Sequence, residues 1–157
     1  MSGLTDTVTS TKPHNKTDEI LKAKIKKKRA LDTKMGFIAG PYFGDGTYTI
    51  IEKNIREAER VAIELANRQI FFFCPHTHTR HFEAKAGAPE EYYKAMDIHH
   101  LLNCDFLVAL PRWKESSGAR KEIRIFRTKG KPIFYLHSLE DGDTYDKIEV
   151  YSKRGIR

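Results

Sequence analysis

The sequence predicts a doubly wound α/β domain with a mainly parallel sheet, built over residues 35–136. Three observations carry this expectation. Short apolar runs alternate with helical patterns in the order β-α-β-α-β-α-β. The runs at residues 70–74 and 105–110 are apolar, save for the opening Asp105, instead of alternating, which marks strands covered on both faces. The first three runs are each stopped by a breaker, at Gly40-Pro41, Pro75 and Pro111. Parallel neighbours joined through helices require right-handed crossovers.

The elements follow in order. Residues 1–16 are rich in Thr, Ser and Lys, a composition that predicts disorder. A helix is expected from Thr17, which can cap it, with Asp18 and Glu19 in the first turn. The basic block from Lys24 to Arg29 reads as a solvated face, a flexible tail or a nucleic-acid contact. Residues 35–39 form the first strand. Residues 47–67 are helical, with Ile51, Ile55, Ala58, Ala62 and Leu65 recurring on one face. The strand at residues 70–74 leads into a polar loop from His76 to about Pro89. A helix over residues 90–103, the strand at 105–110, a helix over 118–128 and the strand at 132–136 complete the pattern. Gly130 stands where a helix-ending glycine is expected. Residues 137–157 read as a polar tail, whose residues 148–151 offer a short edge strand or a partner contact. The chain thus divides into a basic appendage (1–34), a single α/β domain (35–136) and a C-terminal tail (137–157).

Composition narrows the function classes. The chain has 157 residues, 39% of them hydrophobic, enough for one core. Its net charge of +7 is unevenly placed. Residues 1–34 carry nine Lys/Arg against four Asp/Glu, and the other 123 residues carry 19 against 17. The domain itself is nearly neutral, so nucleic-acid binding is expected at most through the appendage. No apolar run approaches the roughly 20 residues of a membrane span, and the N-terminus lacks the order of a signal peptide. A cytoplasmic location without membrane association is expected. Cys74 and Cys104 are widely separated in apolar surroundings and read as buried free thiols.

In an open α/β sheet, ligands bind outside the carboxyl ends of the strands. That rule singles out three exits, at Gly40-Pro41-Tyr42-Phe43, at Pro75-His76-Thr77-His78 and at Pro111-Arg112-Trp113 leading to Ser116-Ser117-Gly118. Ser116 or Ser117 can cap the next helix, and Gly118 lets a ligand approach the backbone. The free N–H groups of such a terminus suit an anion, and Arg112, Arg120 and Lys121 add positive charge. An ordinary serine cap among surface cations is the alternative. Glu122 lies one turn inside this helix, near the apolar face of Ala119 and Phe126. It is a candidate for chemistry, a solvated side chain or a dipole partner. Asp97 shares its helix face with Tyr93 and Leu101. Two carboxylates reaching one pocket from neighbouring helices are the minimum for glycosidic chemistry. His76, His78 and His81 could ligate zinc but match no known spacing, so substrate contacts or a polar loop are favoured. Trp113 reads either as a base-stacking ring or as loop packing.

The ordered set Ile38-Ala39-Gly40-Pro41-Tyr42, Asp97 with Cys104-Asp105, and Ser116-x-Gly118-x-x-x-Glu122 resembles the nucleoside 2-deoxyribosyltransferase family and its relatives, the 2'-deoxynucleoside 5'-phosphate N-hydrolases. The resemblance covers about residues 35–136. It implies a flavodoxin-like, Rossmann-like sheet and cleavage or transfer at an N-glycosidic bond of a nucleoside or its 5'-monophosphate. Glu122 would be the nucleophile that forms a covalent sugar–enzyme intermediate. Asp97 would orient the sugar or assist proton transfer, and Tyr42 would hold the nucleophile or the sugar. Ser116 and Gly118 would bind phosphate, with Gly40, Pro41, His76, Trp113 and Ser117 as further substrate contacts. No metal or redox cofactor is implied, and homo-oligomers are expected, with the C-terminal tail a candidate for the contact. Two departures stand out. Glu122 is followed by Ile123-Arg124 where the family often places a glycine, and Ala119-Arg120-Lys121 is not a small apolar run.

Overall fold

A computed structural model describes residues 16–30 and 34–153. The first segment is one helix, α1 (Lys16–Ala30), with Asp18 and Glu19 in its first turn. It starts one residue before Thr17, so Thr17 belongs to the helix and is not its cap. The predicted disorder of residues 1–16 falls almost wholly outside the described residues.

From residue 34 every two successive strands are separated by helix, with two helices between the second strand and the third. The strands are β1 (Met35–Ala39), β2 (Phe71–Phe73), β3 (Phe106–Ala109) and β4 (Ile133–Tyr135). The helices are α2 (Tyr48–Asn67), α3 (Pro75–His78), α4 (Glu90–Leu102), α5 (Ser117–Thr128) and α6 (Gly142–Lys153). All strand pairs are parallel, in the order β2-β1-β3-β4. Phe37 pairs with Phe73 on one side and Leu107 on the other, and Ala39 pairs with Ala109.

The continuous apolar runs of β1 and β3 are explained by two cores, whereas β2, at the edge of the sheet, leaves Phe71 exposed. On one face Ile38, Phe106, Val108 and Leu110 meet Ala58, Val61 and Leu65 of α2 and Tyr145 and Ile148 of α6. On the other, Phe37, Ala39, Leu107 and Ala109 meet Leu101 of α4 and Ala119, Ile123 and Phe126 of α5. Successive strand residues point to opposite cores, so no strand position of β3 can be polar. The fold is therefore a doubly wound, Rossmann-like α/β sandwich, as the alternation predicts. Cys74 and Cys104 are free and buried, and burial pushes the Cys104 thiol up to about 12.

The last segment corrects the sequence reading. Residues 148–151 form no edge strand and lie inside α6, so the core extends past residue 136. Tyr145 and Ile148 are buried three residues apart, and the Tyr151 ring packs edge-on against Phe106. Asp141 sets the start of α6 by accepting from the backbone N–H of Thr144 at 3.1 Å and from its hydroxyl at 2.8 Å. The polar loop also differs. Pro75 opens α3, where its missing N–H costs nothing, and residues 82–84 form a 3₁₀ turn.

After β1 the chain crosses to β2 at one edge, and after β3 to β4 at the other. The connections therefore diverge between the carboxyl ends of β1 and β3, which leaves a crevice there. No helix among the described residues is long and apolar enough to cross a membrane.

Candidate active site

A cavity of about 570 Å³ occupies this crevice, within the range that holds a small ligand. The chain leaves β1 through Gly40, where any β-carbon would collide with the Leu110 side chain. The next turn is fixed from two sides. Asn54, buried on α2, donates to the Tyr42 carbonyl at 2.9 Å, and His76 Nε2 donates to the Pro41 carbonyl at 2.9 Å. Arg112 secures Asn54 in turn at 3.1 Å and pairs with Glu57 at 2.9 Å.

α5 presents its N-terminus to the cavity. Ser116 caps it, its hydroxyl accepting from the Ala119 N–H at 3.1 Å. Ser116, Ser117, Gly118 and Ala119 all line the wall, with Glu122 one turn further in. Asp97 enters from α4. Among the described residues Glu122 has no hydrogen-bond or ion-pair partner. Burial and the nearby Asp97 charge push its carboxyl up to about 8, and Lys121 only partly opposes this. Burial likewise raises Asp97 to about 6.

Three buried side-chain atoms of the described residues lack a hydrogen-bond partner: His76 Nδ1, the Tyr93 hydroxyl and Asp97 Oδ1. All three belong to residues lining this cavity. Unpaired buried polar groups are costly and mark places where a ligand supplies the partner. The His76 state follows from its bond. A carbonyl only accepts, so Nε2 carries the proton, and burial lowers the ring's pKa. Nδ1 is therefore a bare acceptor.

Gly40, Pro41, Tyr42, His76, Asp97, Ser116, Ser117, Gly118 and Glu122 are thus brought to one cavity. Trp113 is not. Its ring packs on Tyr135 at 5.4 Å and joins the core beneath α5, because a 3₁₀ turn at residues 113–115 folds it inward. Arg120 and Lys121 do not line the wall either; Arg120 donates to the Lys114 carbonyl. The two lining cations are both engaged, Lys94 by Glu90 at 2.6 Å and Arg112 by Glu57 and Glu115. Tyr42 holds neither carboxylate of the pair. Its hydroxyl donates to Glu83 at 2.9 Å and accepts from the His81 N–H at 3.1 Å.

The three loop histidines part company. His76 faces the cavity, His78 packs against Phe73 and His100, and His81 bonds Glu52 at 2.6 Å. No group of three His, Cys, Asp or Glu among the described residues is arranged to hold a metal. Asn54, Glu83 and Tyr93 were not expected as site residues. Asn54 carries a signal, being the polar member of the buried stripe between Ile51 and Ala58. Tyr93 carries another, one turn from Asp97. A second hollow, lined by Phe134, Asp146, Lys147, Val150 and Tyr151, is more open, lies beside α6 and gathers few polar groups.

No curated protein matches the chain. The family model described as a domain of unknown function (DUF4406) matches residues 37–135, which run from the third residue of β1 to the last of β4 and include every cavity residue named above. The chain that builds this cavity belongs to that family.

Proposed function

We propose that the domain cleaves or transfers at the N-glycosidic bond of a (deoxy)nucleoside or its 5'-monophosphate. The observation that carries this reading is the pair of under-solvated carboxyl groups, Glu122 and Asp97, facing one nucleoside-sized cavity from two helices. Such a pair loses its protons in two steps, near 6 and near 8, and belongs to both groups together. Between those values one proton remains, leaving one carboxylate and one acid. Glycosidic displacement needs that combination.

In the proposed reaction the one proton of the pair, favoured on Glu122 by its higher pKa, passes to Asp97 as substrate binds, and the Glu122 carboxylate then attacks the anomeric carbon through an oxocarbenium-like transition state. The C–N bond breaks, and the base leaves with the bonding electrons and takes the proton from Asp97. Water or a second base then attacks the sugar ester, gives its proton to the Asp97 carboxylate and expels the Glu122 carboxylate. The capped N-terminus of α5 supports a place for a hydroxyl or a 5'-phosphate, since the first N–H groups of a helix have no partner within it. The test is incubation with a panel of nucleosides and nucleotides, with free base followed by chromatography. Base release that Glu122→Ala abolishes supports the reading, and release that survives the substitution overturns it.

A non-catalytic nucleotide sensor on the same fold is the second reading. One observation favours it: burial and the nearby Asp97 push the Glu122 carboxyl up to about 8, and a protonated carboxyl is no nucleophile. That reading expects thermal stabilisation by nucleotides without base release.

A further inference from the structure

Glu83 lines the cavity and has no task in the reaction above. Its carboxyl is held in place. Oε2 accepts the Tyr42 hydroxyl at 2.9 Å, and His81 Nδ1 lies 3.7 Å from Oε1. His81 is itself fixed on every side. Its Nε2 meets Glu52 at 2.6 Å, its ring stacks on Tyr48 at 4.5 Å, and its N–H donates to Tyr42. Its φ of 58° is left-handed, a conformation that a non-glycine residue keeps only where its surroundings impose it. Each carboxylate oxygen has two acceptor positions, so Glu83 keeps capacity on both.

Two phenyl rings accompany it. Phe82 precedes Glu83 in the turn, and Phe43 follows Tyr42, edge-on to its ring at 5.0 Å. Both line the cavity, yet they remain 42% and 43% exposed. Large apolar rings exposed within a concavity await a flat apolar partner. Aromatic faces with a fixed polar group beside them are the means by which proteins hold single heterocyclic bases, stacking the ring and reading its edge.

We propose that Phe43, Phe82 and Glu83 form the subsite for the base, and that Glu83 selects a purine with two adjacent N–H donors, the 2-amino-6-oxopurine edge. This rests on the proposed nucleoside or nucleotide ligand. An ionised carboxylate accepts two parallel N–H bonds from that edge. A 6-aminopurine would instead turn a ring-nitrogen lone pair toward a carboxylate oxygen.

The test uses bases without a glycosidic bond, so that binding is separate from turnover. Titration calorimetry with 9-methylguanine and 9-methyladenine is expected to favour the former by ~10-fold or more, the discrimination of a bidentate pair. Replacing the N1 hydrogen, in 1,9-dimethylguanine, removes the preference without altering the protein. Glu83→Gln, which exchanges one acceptor for a donor, brings the two purines within about threefold of each other. Equal affinities in the unaltered protein, tighter binding of 9-methyladenine, binding of neither purine, or a preference that persists in Glu83→Gln would each overturn the subsite. Absent base release with the purine preference intact removes the proposed reaction and leaves the subsite. Base release with no purine preference removes the subsite alone.

Discussion

The raised carboxyl of Glu122 makes a stability prediction that needs no substrate. Its pKa stands at about 8 against an ordinary 4.5. The folded chain therefore binds this proton more tightly than the unfolded chain, by up to roughly 5 kcal/mol. Below pH 4.5 both states are protonated and the group has no effect. Between 4.5 and 8 the unfolded chain releases the proton first, so stability falls as pH rises, and the loss is complete above 8. Glu122→Gln removes the ionisation while keeping the shape. Solvent entering the open cavity reduces the effect, and about 2–4 kcal/mol is expected at pH 9, with little difference at pH 4.5. A gain of that size raises Tm by several degrees in a domain of this length. Thermal and denaturant melts of both proteins at the two pH values measure it. An equal stability difference at both would refute the claim that the Glu122 carboxyl is desolvated without a compensating partner.

Three further outcomes follow from particular contacts. Ile148→Ala should cost ~2–5 kcal/mol in denaturant unfolding, as for any fully buried aliphatic side chain; a change under ~0.5 kcal/mol would return α6 to the status of a surface tail. At Gly118 an added β-carbon meets only Ser116 Oγ, at 3.7 Å. Gly118→Ala should therefore leave the melt unchanged or raise stability by ~0.5–1 kcal/mol, while nucleoside binding weakens in a parallel titration. Base release should follow a bell-shaped pH profile with limbs near 6 and 8, set by the Asp97–Glu122 pair; a flat profile from pH 5 to 9 would contradict that assignment.

Most of the fold was legible because burial on both faces leaves an unmistakable pattern. Residues 35–39, 70–74 and 106–110 are apolar throughout, and breakers end them. The crevice was legible from the carboxyl-end rule, since Gly40, His76 and Ser116 each follow the end of a strand run. α6 escaped because few of its residues are apolar, and Asp141-Gly142-Asp143 resembles a turn more than a helix start. The spacing of Asp141 and Thr144 is a capping signal. Trp113 illustrates a different limit. Its place depends on whether a three-residue turn folds inward, which no periodicity records. Tyr42 illustrates a third, for its hydroxyl partner, Glu83, lies 41 residues away in a loop whose path local sequence does not specify.

The central claim is that Glu122 bonds to the sugar. Intact-mass spectrometry after incubation with nucleosides bearing a fluorine at the 2'-carbon, which slows release of the sugar, tests it directly. A mass gain of one fluorosugar, located on Glu122 by peptide mapping and absent from Glu122→Gln, is the expected result. Base release accompanied by no adduct, or by an adduct on another residue, would contradict it.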